Sequence, residues 1–201
     1  MSDAPLRLAW PRAAIRARVA ELGTEITARY AGQELMLVGV LNGAAVFLAD
    51  LVRCLELPVR IDFLALRPVD PHAVGEAPAA LLKDLELDIG GRQVLLVEDV
   101  VHSGVTLAQV LRLLQARDPA SLRVCTLLDR TVARVTALPV DHVGFRVGLA
   151  PLVGYGLDLG GHFRALPDLW EVTDEHALLR DPAGAAESAR RALTAREAAR
   201  D

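Results

Sequence analysis

Gln93–Val94–Leu95–Leu96–Val97–Glu98–Asp99–Val100–Val101–His102–Ser103–Gly104–Val105–Thr106 is the stretch from which the rest of the chain can be read. Its apolar run reads as a buried strand, and two adjacent carboxylates stand where the run ends. A Ser-Gly-x-Thr turn follows, and Leu107, Val110, Leu111 and Leu114 then recur at helical spacing. In a parallel sheet the carboxyl ends of the strands face the ligand crevice. The first turn of the next helix presents N–H groups that have no intrahelical partner, reinforced by the helix dipole. The pattern predicts an anion held on residues 102–106, with a metal-bound or hydroxyl-rich group beside Glu98 and Asp99.

The same order recurs on either side. Ile15, Val19, Leu22, Ile26 and Tyr30 mark an amphipathic helix from Pro11 to Tyr30. The apolar run Leu35–Leu41 is a buried strand, broken by Asn42–Gly43 before an apolar helix from Ala44 to Leu55. Val59 to Leu66 gives another strand, and the polar, proline-broken segment from Arg67 to Pro78 reads as a functional or mobile loop. Beyond the central unit, Leu122 to Leu128 is a strand ending in Asp129–Arg130–Thr131, and Val143 to Val147 and Leu152 to Leu157 are short strands. Asp158–Leu159–Gly160–Gly161–His162–Phe163–Arg164 then sets a carboxylate, glycines and an arginine just past a strand. From Pro182 onward, Ala, Arg and Glu favour a surface helix through propensity. Alternating strands and helices predict an α/β fold with a mostly parallel central sheet and helices on both faces. Residues 1–180 form one domain in this reading, followed by a helical tail over 181–201.

Composition narrows the function classes. A chain of 201 residues supports one well-packed core, and 52% hydrophobic residues suit a sheet buried on both faces. No apolar run is long enough to cross a bilayer, and Met1–Ser2–Asp3–Ala4–Pro5 lacks the pattern of a secretory signal, so a cytoplasmic protein with no membrane partner is expected. Cys54 and Cys125 have no C-x-x-C spacing and read as core thiols. A formal charge of −4 offers no general basis for binding nucleic acid and leaves room for a small anionic ligand held locally. His72, His142, His162 and His176 show no metal-ligand spacing and read as surface or turn residues.

Glu98–Asp99–Val100–Val101–His102–Ser103–Gly104–Val105–Thr106, approached through Lys83–Asp84–Leu85 and Asp88–Ile89, resembles the phosphoribosyl-diphosphate motif of the hypoxanthine/guanine phosphoribosyltransferases, a type I phosphoribosyltransferase family. Val153–Gly154–Tyr155–Gly156–Leu157–Asp158 with Phe163–Arg164 resembles that family's distal segment. Leu41–Asn42–Gly43 with Phe47–Leu48–Ala49–Asp50–Leu51 is similar to its first pyrophosphate loop and helix. The resemblance implies a type I phosphoribosyltransferase fold with a small hood formed by terminal segments, assembled as a homodimer or homotetramer. It implies Mg²⁺-dependent exchange at C1′ of phosphoribosyl diphosphate, in which a 6-oxopurine base replaces pyrophosphate and a purine nucleoside monophosphate is released. Glu98 and Asp99 would meet the ribose hydroxyls, directly or around Mg²⁺. His102, Ser103, Gly104, Val105 and Thr106 would cradle the 5′-phosphate, with Asn42 and Gly43 facing the diphosphate. Asp158 would orient a second Mg²⁺, Arg164 would offset charge on departing pyrophosphate, and Leu152, Val153 and Arg130 would meet the base.

The chain departs from the family at defined places. His102 stands where the family has an aspartate placed to take the purine N7 proton, and imidazole can accept that proton. Arg130 replaces a lysine that reads the exocyclic oxygen, Asn42 replaces a loop lysine, and Pro151 replaces an aromatic residue that stacks on the base. Arg67–Pro68–Val69 stands where relatives carry a Ser-Tyr pair. Plainer readings stand beside these. Gly and hydroxyl residues cap ordinary helices, Asn42–Gly43 suits a tight turn, and Arg130 suits a charged strand cap. Asp158 and Arg164 suit an ion-paired turn, and His102 suits a structural role beside a phosphate or simple solvent exposure. At the level of function, the alternatives to purine transfer are a transferase for another nucleobase and a nonenzymatic nucleotide or phosphoribosyl-diphosphate sensor.

Overall fold

The computed structural model describes residues 4–68, 79–136 and 138–198, and two units divide the chain: residues 17–149, and residues 1–16 together with 150–201. The elements run β1 (Leu6–Trp10), α1 (Arg12–Arg29), β2 (Leu35–Leu41), α2 (Ala44–Val52), β3 (Val59–Pro68), β4 (Ala79–Lys83) and β5 (Gln93–Val101). They continue with α3 (Val105–Gln115), β6 (Ser121–Asp129), a 3₁₀ turn at Thr131–Ala133, β7 (His142–Arg146), β8 (Leu152–Val153), β9 (Leu169–Val172), α4 (Glu175–Arg180) and α5 (Pro182–Ala198).

The larger unit holds a six-stranded sheet in the order β4-β3-β2-β5-β6-β7. Every neighbouring pair is parallel except β3 with β4, so the expected mostly parallel α/β sheet is present. The central strands are apolar because both of their faces are covered. Leu35, Leu37, Val38, Val94, Leu95, Leu96 and Val97 are fully buried. On one face Val94 and Leu96 join Val110 and Leu114 of α3 in a single cluster, which is why α3 repeats apolar residues at helical spacing. At the free edge of β7, Arg18 donates to the carbonyls of Val143 at 2.8 Å and Gly144 at 3.1 Å, and so covers a strand edge that would otherwise invite pairing.

The smaller unit has its own three-stranded sheet, β1-β9-β8, with antiparallel pairings. Its core gathers Leu6, Val153, Phe163, Leu166, Trp170, Val172 and Leu178 with Ala185 and Ala189 of α5. Asp168 Oδ1 accepts a 2.7 Å hydrogen bond from the Arg12 N–H and so caps the start of α1 from a residue remote in sequence.

Several sequence expectations need correction. β8 stops at Val153 rather than Leu157, because Gly154, Tyr155 and Gly156 all take positive φ (95°, 49° and 97°) and fold the chain back, with Gly154 bridging Leu157. The α2 helix ends at Val52 rather than Leu55, where the Cys54 and Leu55 N–H groups bond back three residues and tighten the last turn. β1, β4 and β9 were not expected, since each is short and is ordered by a distant partner. Cys54 is half-buried beyond α2, while Cys125 is buried as expected. His142 is a buried residue of β7, 7% exposed, rather than a surface residue. Burial lowers its pKa, and Glu25 at 3.6 Å opposes that shift. The segment read as a loop, from Arg67 to Pro78, lies outside the described residues from position 69.

Asp62 is the polar keystone of the β3–β4 edge. Its buried carboxylate accepts from the N–H groups of Phe63, Glu86 and Leu87 at 2.7, 2.7 and 2.8 Å, and Lys83 lies 3.4 Å away. Burial pushes this carboxyl up, but the three N–H groups and Lys83 outweigh it, so its pKa is lowered. A carboxyl lowered on folding contributes stability that is fully present above the unfolded value, about 3.9, and is lost as pH falls through the folded value. Asp62→Asn should destabilise the fold at neutral pH by about 2–3 kcal/mol and flatten the stability–pH curve in that acid window. Urea denaturation of both proteins between pH 7 and pH 3 checks this, and an unaltered midpoint would remove Asp62 from that role.

Candidate active site

Parallel pairing brings the ends of β2, β5 and β6 to one edge of the sheet. Leu35 lies beside Gln93 and Gly39 beside Val97, so the turn after β2 meets the acidic end of β5. That meeting is close: a Cβ at Gly43 would overlap the Asp99 carboxylate. Gly39 is similarly required, since a Cβ there would lie 2.7 Å from Leu48 Cδ1 and 2.9 Å from the Phe63 ring. Glu98 is buried at 7% exposure, whereas Asp99 is half-buried and accepts from the Val100 N–H at 2.8 Å.

The turn that follows is held from inside and outside. Gly104, at φ 90°, is the N-cap of α3, and its carbonyl accepts from the Ala108 N–H at 2.9 Å. Ser103 Oγ accepts from the Val105 N–H at 3.3 Å. The Ser103 carbonyl accepts from Val135 N–H at 3.0 Å and Thr136 N–H at 3.3 Å, so residues 134–136 brace the turn from behind. A Cβ at Gly104 would sit 3.0 Å from Arg134 Cδ, and Arg134 is ion-paired with buried Asp129. Sequence inspection missed Arg134, Val135 and Thr136, because their role comes from backbone contacts that leave no motif.

A cavity of about 330 Å³ opens at this edge, lined by Leu41, Leu66, Arg67, Glu98, Asp99, His102, Gly104 and Thr106 among others. Glu98, Asp99, His102 and Thr106 are thus brought to one cavity, with Ser103 and Val105 in the same turn. Asn42 is exposed on the adjoining turn. Arg130 does not line this cavity. Its N–H donates to the Val101 carbonyl at 2.9 Å and its Nη1 to the Leu149 carbonyl at 2.7 Å, and burial lowers its pKa.

In the smaller unit, Leu152 and Val153 are buried in β8. Asp158 and Arg164 are partners: Arg164 Nη2 lies 2.6 Å from Asp158 Oδ1, and its Nη1 donates to the Gly156 carbonyl at 2.6 Å. The other Asp158 oxygen accepts from the Gly161 N–H at 2.8 Å. Gly160 and Gly161, at φ 60° and 83°, let the turn close around that carboxylate.

Among the described residues no cluster of three or more His, Cys, Asp and Glu side chains forms a self-sufficient metal site. A pair of adjacent carboxylates at the cavity fits Mg²⁺, a hard cation that takes one or two carboxylates and fills its shell from water and substrate oxygens. No helix among the described residues is long and apolar enough to cross a membrane.

An α/β sheet whose strand ends carry adjacent carboxylates and a glycine-capped turn at one cavity defines a nucleotide- or sugar-phosphate-binding class of protein. The phosphoribosyl transferase domain matches residues 11–146. The chain belongs to the hypoxanthine/guanine phosphoribosyltransferase family of type I phosphoribosyltransferases, and it is an enzyme of phosphoribosyl transfer. It is 43% identical over 164 residues to the hypoxanthine phosphoribosyltransferase of Salmonella typhimurium, covering 81% of this chain and 92% of that one. To the hypoxanthine-guanine phosphoribosyltransferase of Mycobacterium avium it is 45% identical over 158 residues, 76% of this chain and 78% of that one. The crystal structure of a hypoxanthine-guanine phosphoribosyltransferase from Bacillus anthracis superposes with a TM-score of 0.80 at 32% identity, covering 83% and 98% of the two chains.

The acidic edge gives a direct test. The double variant E98Q/D99N should fold but bind Mg²⁺–phosphoribosyl diphosphate about tenfold more weakly or worse, because the oxygens remain only in part and their charge is gone. Calorimetric titration reads this; full affinity in the folded variant would place sugar and metal elsewhere.

Proposed function

We propose that the protein transfers the 5-phosphoribosyl group from phosphoribosyl diphosphate to hypoxanthine or guanine, giving IMP or GMP and pyrophosphate, in cytoplasmic purine salvage. The observation that carries this reading is the single cavity shared by Glu98, Asp99, His102 and Thr106 at the end of a parallel strand. The Gly104-capped turn binds the 5′-phosphate through N–H groups and the hydroxyls of Ser103 and Thr106. Glu98 and Asp99 accept hydrogen bonds from the ribose 2′- and 3′-hydroxyls, directly or around a Mg²⁺ ion that they would hold, and Asp158 would orient a second Mg²⁺. When bound, the ion offsets charge on the diphosphate oxygens. Arg164 stabilises the charge that grows on pyrophosphate as it leaves. Leu152 covers the base, Val153 offers backbone groups to its edge, and Arg130 donates to the 6-oxo oxygen, with which a 6-amino group would clash donor against donor.

In the exchange, the bond from C1′ to pyrophosphate breaks as a purine ring nitrogen bonds to C1′, and the proton on N7 must leave. His102 lines the cavity three residues after Asp99 and, as neutral imidazole, accepts that proton in place of the family's carboxylate. A second reading has support in particular residues. His102, Asn42 and Pro151 depart from the family at the proton acceptor, the diphosphate loop and the base stack, so a sensor that binds phosphoribosyl diphosphate without turnover keeps the same cavity.

A panel of nucleobases incubated with the protein, Mg²⁺ and phosphoribosyl diphosphate, read for pyrophosphate and nucleotide, separates the readings. Product with hypoxanthine or guanine is expected; product only with another base redirects the substrate, and saturable binding without product for any base indicates the sensor. His102→Ala should lower kcat by about 10²–10⁴-fold while leaving phosphoribosyl-diphosphate affinity within a few-fold. His102→Asp should restore part of the lost rate. Near wild-type turnover in the alanine variant would end the proton-acceptor assignment.

A further inference from the structure

Resting on that reading, we infer that Arg67 is a further cation, in addition to Arg164, that holds the diphosphate of the substrate, a role that the turn after β2 leaves without a charge because Asn42 stands there. Arg67 lies near the carboxyl end of β3, the parallel neighbour of β2, and Leu41 pairs with Ala65, so the end of β3 and the Asn42–Gly43 turn share one edge. Among the described residues lining the cavity, Arg67 is the sole Lys or Arg, and it shares that lining with Glu98, Asp99 and His102.

Charge balance makes the assignment specific to one end of the ligand. A Mg²⁺ ion beside Glu98 and Asp99 would be shared between those carboxylates and the diphosphate oxygens, so part of the diphosphate's charge remains for side chains to meet. The 5′-phosphate has the N-terminal turn of α3 and the hydroxyls of that turn. Of the other cations of this unit close to these strand ends, Arg134 pairs with Asp129, Lys83 pairs with Asp62 and Glu86, and Arg130 is engaged with the Leu149 carbonyl and does not line the cavity. Arg67 has no ion-pair partner among the described residues, and its planar fork suits two oxygens of a diphosphate. It is a binding residue for the departing group, distinct in role from the proton acceptor.

The assignment predicts an effect confined to ligands that carry a diphosphate. Calorimetric titration of the full chain, its Arg67→Met and Arg67→Lys variants with Mg²⁺ uses phosphoribosyl diphosphate, inorganic pyrophosphate and ribose 5-phosphate as probes. Arg67→Met should weaken phosphoribosyl diphosphate and pyrophosphate about 10- to 100-fold, leave ribose 5-phosphate within about twofold, and be partly rescued in Arg67→Lys. Undiminished affinity for phosphoribosyl diphosphate in folded Arg67→Met overturns the role of Arg67 and leaves the transferase reading intact. Equal loss of ribose 5-phosphate overturns it too, since the residue then shapes the whole cavity. If the wild-type chain binds neither phosphoribosyl diphosphate nor ribose 5-phosphate, the transferase reading falls and takes this inference with it.

Discussion

Parallel pairing of β2 with β5 is the constraint on which the larger unit depends, and Gly43 shows how tight it is. The strands lie side by side from Leu35 with Gln93 to Gly39 with Val97, and just past that paired stretch, still within β5, the Asp99 carboxylate fills the volume that a side chain at residue 43 would need. Such proximity requires central strands that are apolar on both faces, as Leu37, Val38, Leu95 and Leu96 are, each contributing about 1.5–3 kcal/mol by burial. A shift of one residue in that register would carry Glu98 and Asp99 away from the turn and turn their side chains to opposite faces. The site is therefore a consequence of the core's register.

Five of the buried or half-buried carboxylates among the described residues fall into two groups, distinguished by what surrounds them. Asp62 receives three backbone N–H groups and a lysine, Asp129 an arginine and the Thr131 hydroxyl, and Asp168 the first N–H of α1. Burial of a charge is costly without such partners, so these three are structural anchors. Glu98 and Asp99 line the cavity, where they are open to water or a ligand. Carboxyl groups of the same type thus anchor the fold in one setting and open onto a cavity in the other, and only their neighbours tell them apart.

The departures from the family move charge rather than remove it. Asn42 withdraws a cation from the turn after β2, while Arg67 brings one to the end of the neighbouring strand β3 and into the lining of the same cavity. His102 puts an imidazole in the cavity lining where the family has a carboxylate, and so removes a fixed anion from the turn that opens α3. Arg130 keeps a donor at the end of β6, already engaged with the Leu149 carbonyl.

The sequence by itself determined the elements whose signal is local. Apolar runs closed by Gly, Asn or charged residues marked β2, β3, β5 and β6, and helical spacing marked α1 and α3. The Glu98–Asp99 pair followed by Ser103–Gly104 was legible because a strand end and a helix N-cap each need particular residues over a short span. Tertiary structure alone decided β1 and β9, which pair with each other from opposite ends of the chain, β4, which folds back antiparallel on the strand before it, and the early end of β8, where Tyr155 between two glycines adopts positive φ. It alone revealed that Gly43 rests on Asp99, that residues 134–136 brace the Ser103–Gly104 turn, and that His142 is buried. The physical reason is that periodicity and capping are written in neighbouring residues, whereas close approach, burial and the partner of a charge depend on which distant segments the sheet sets side by side.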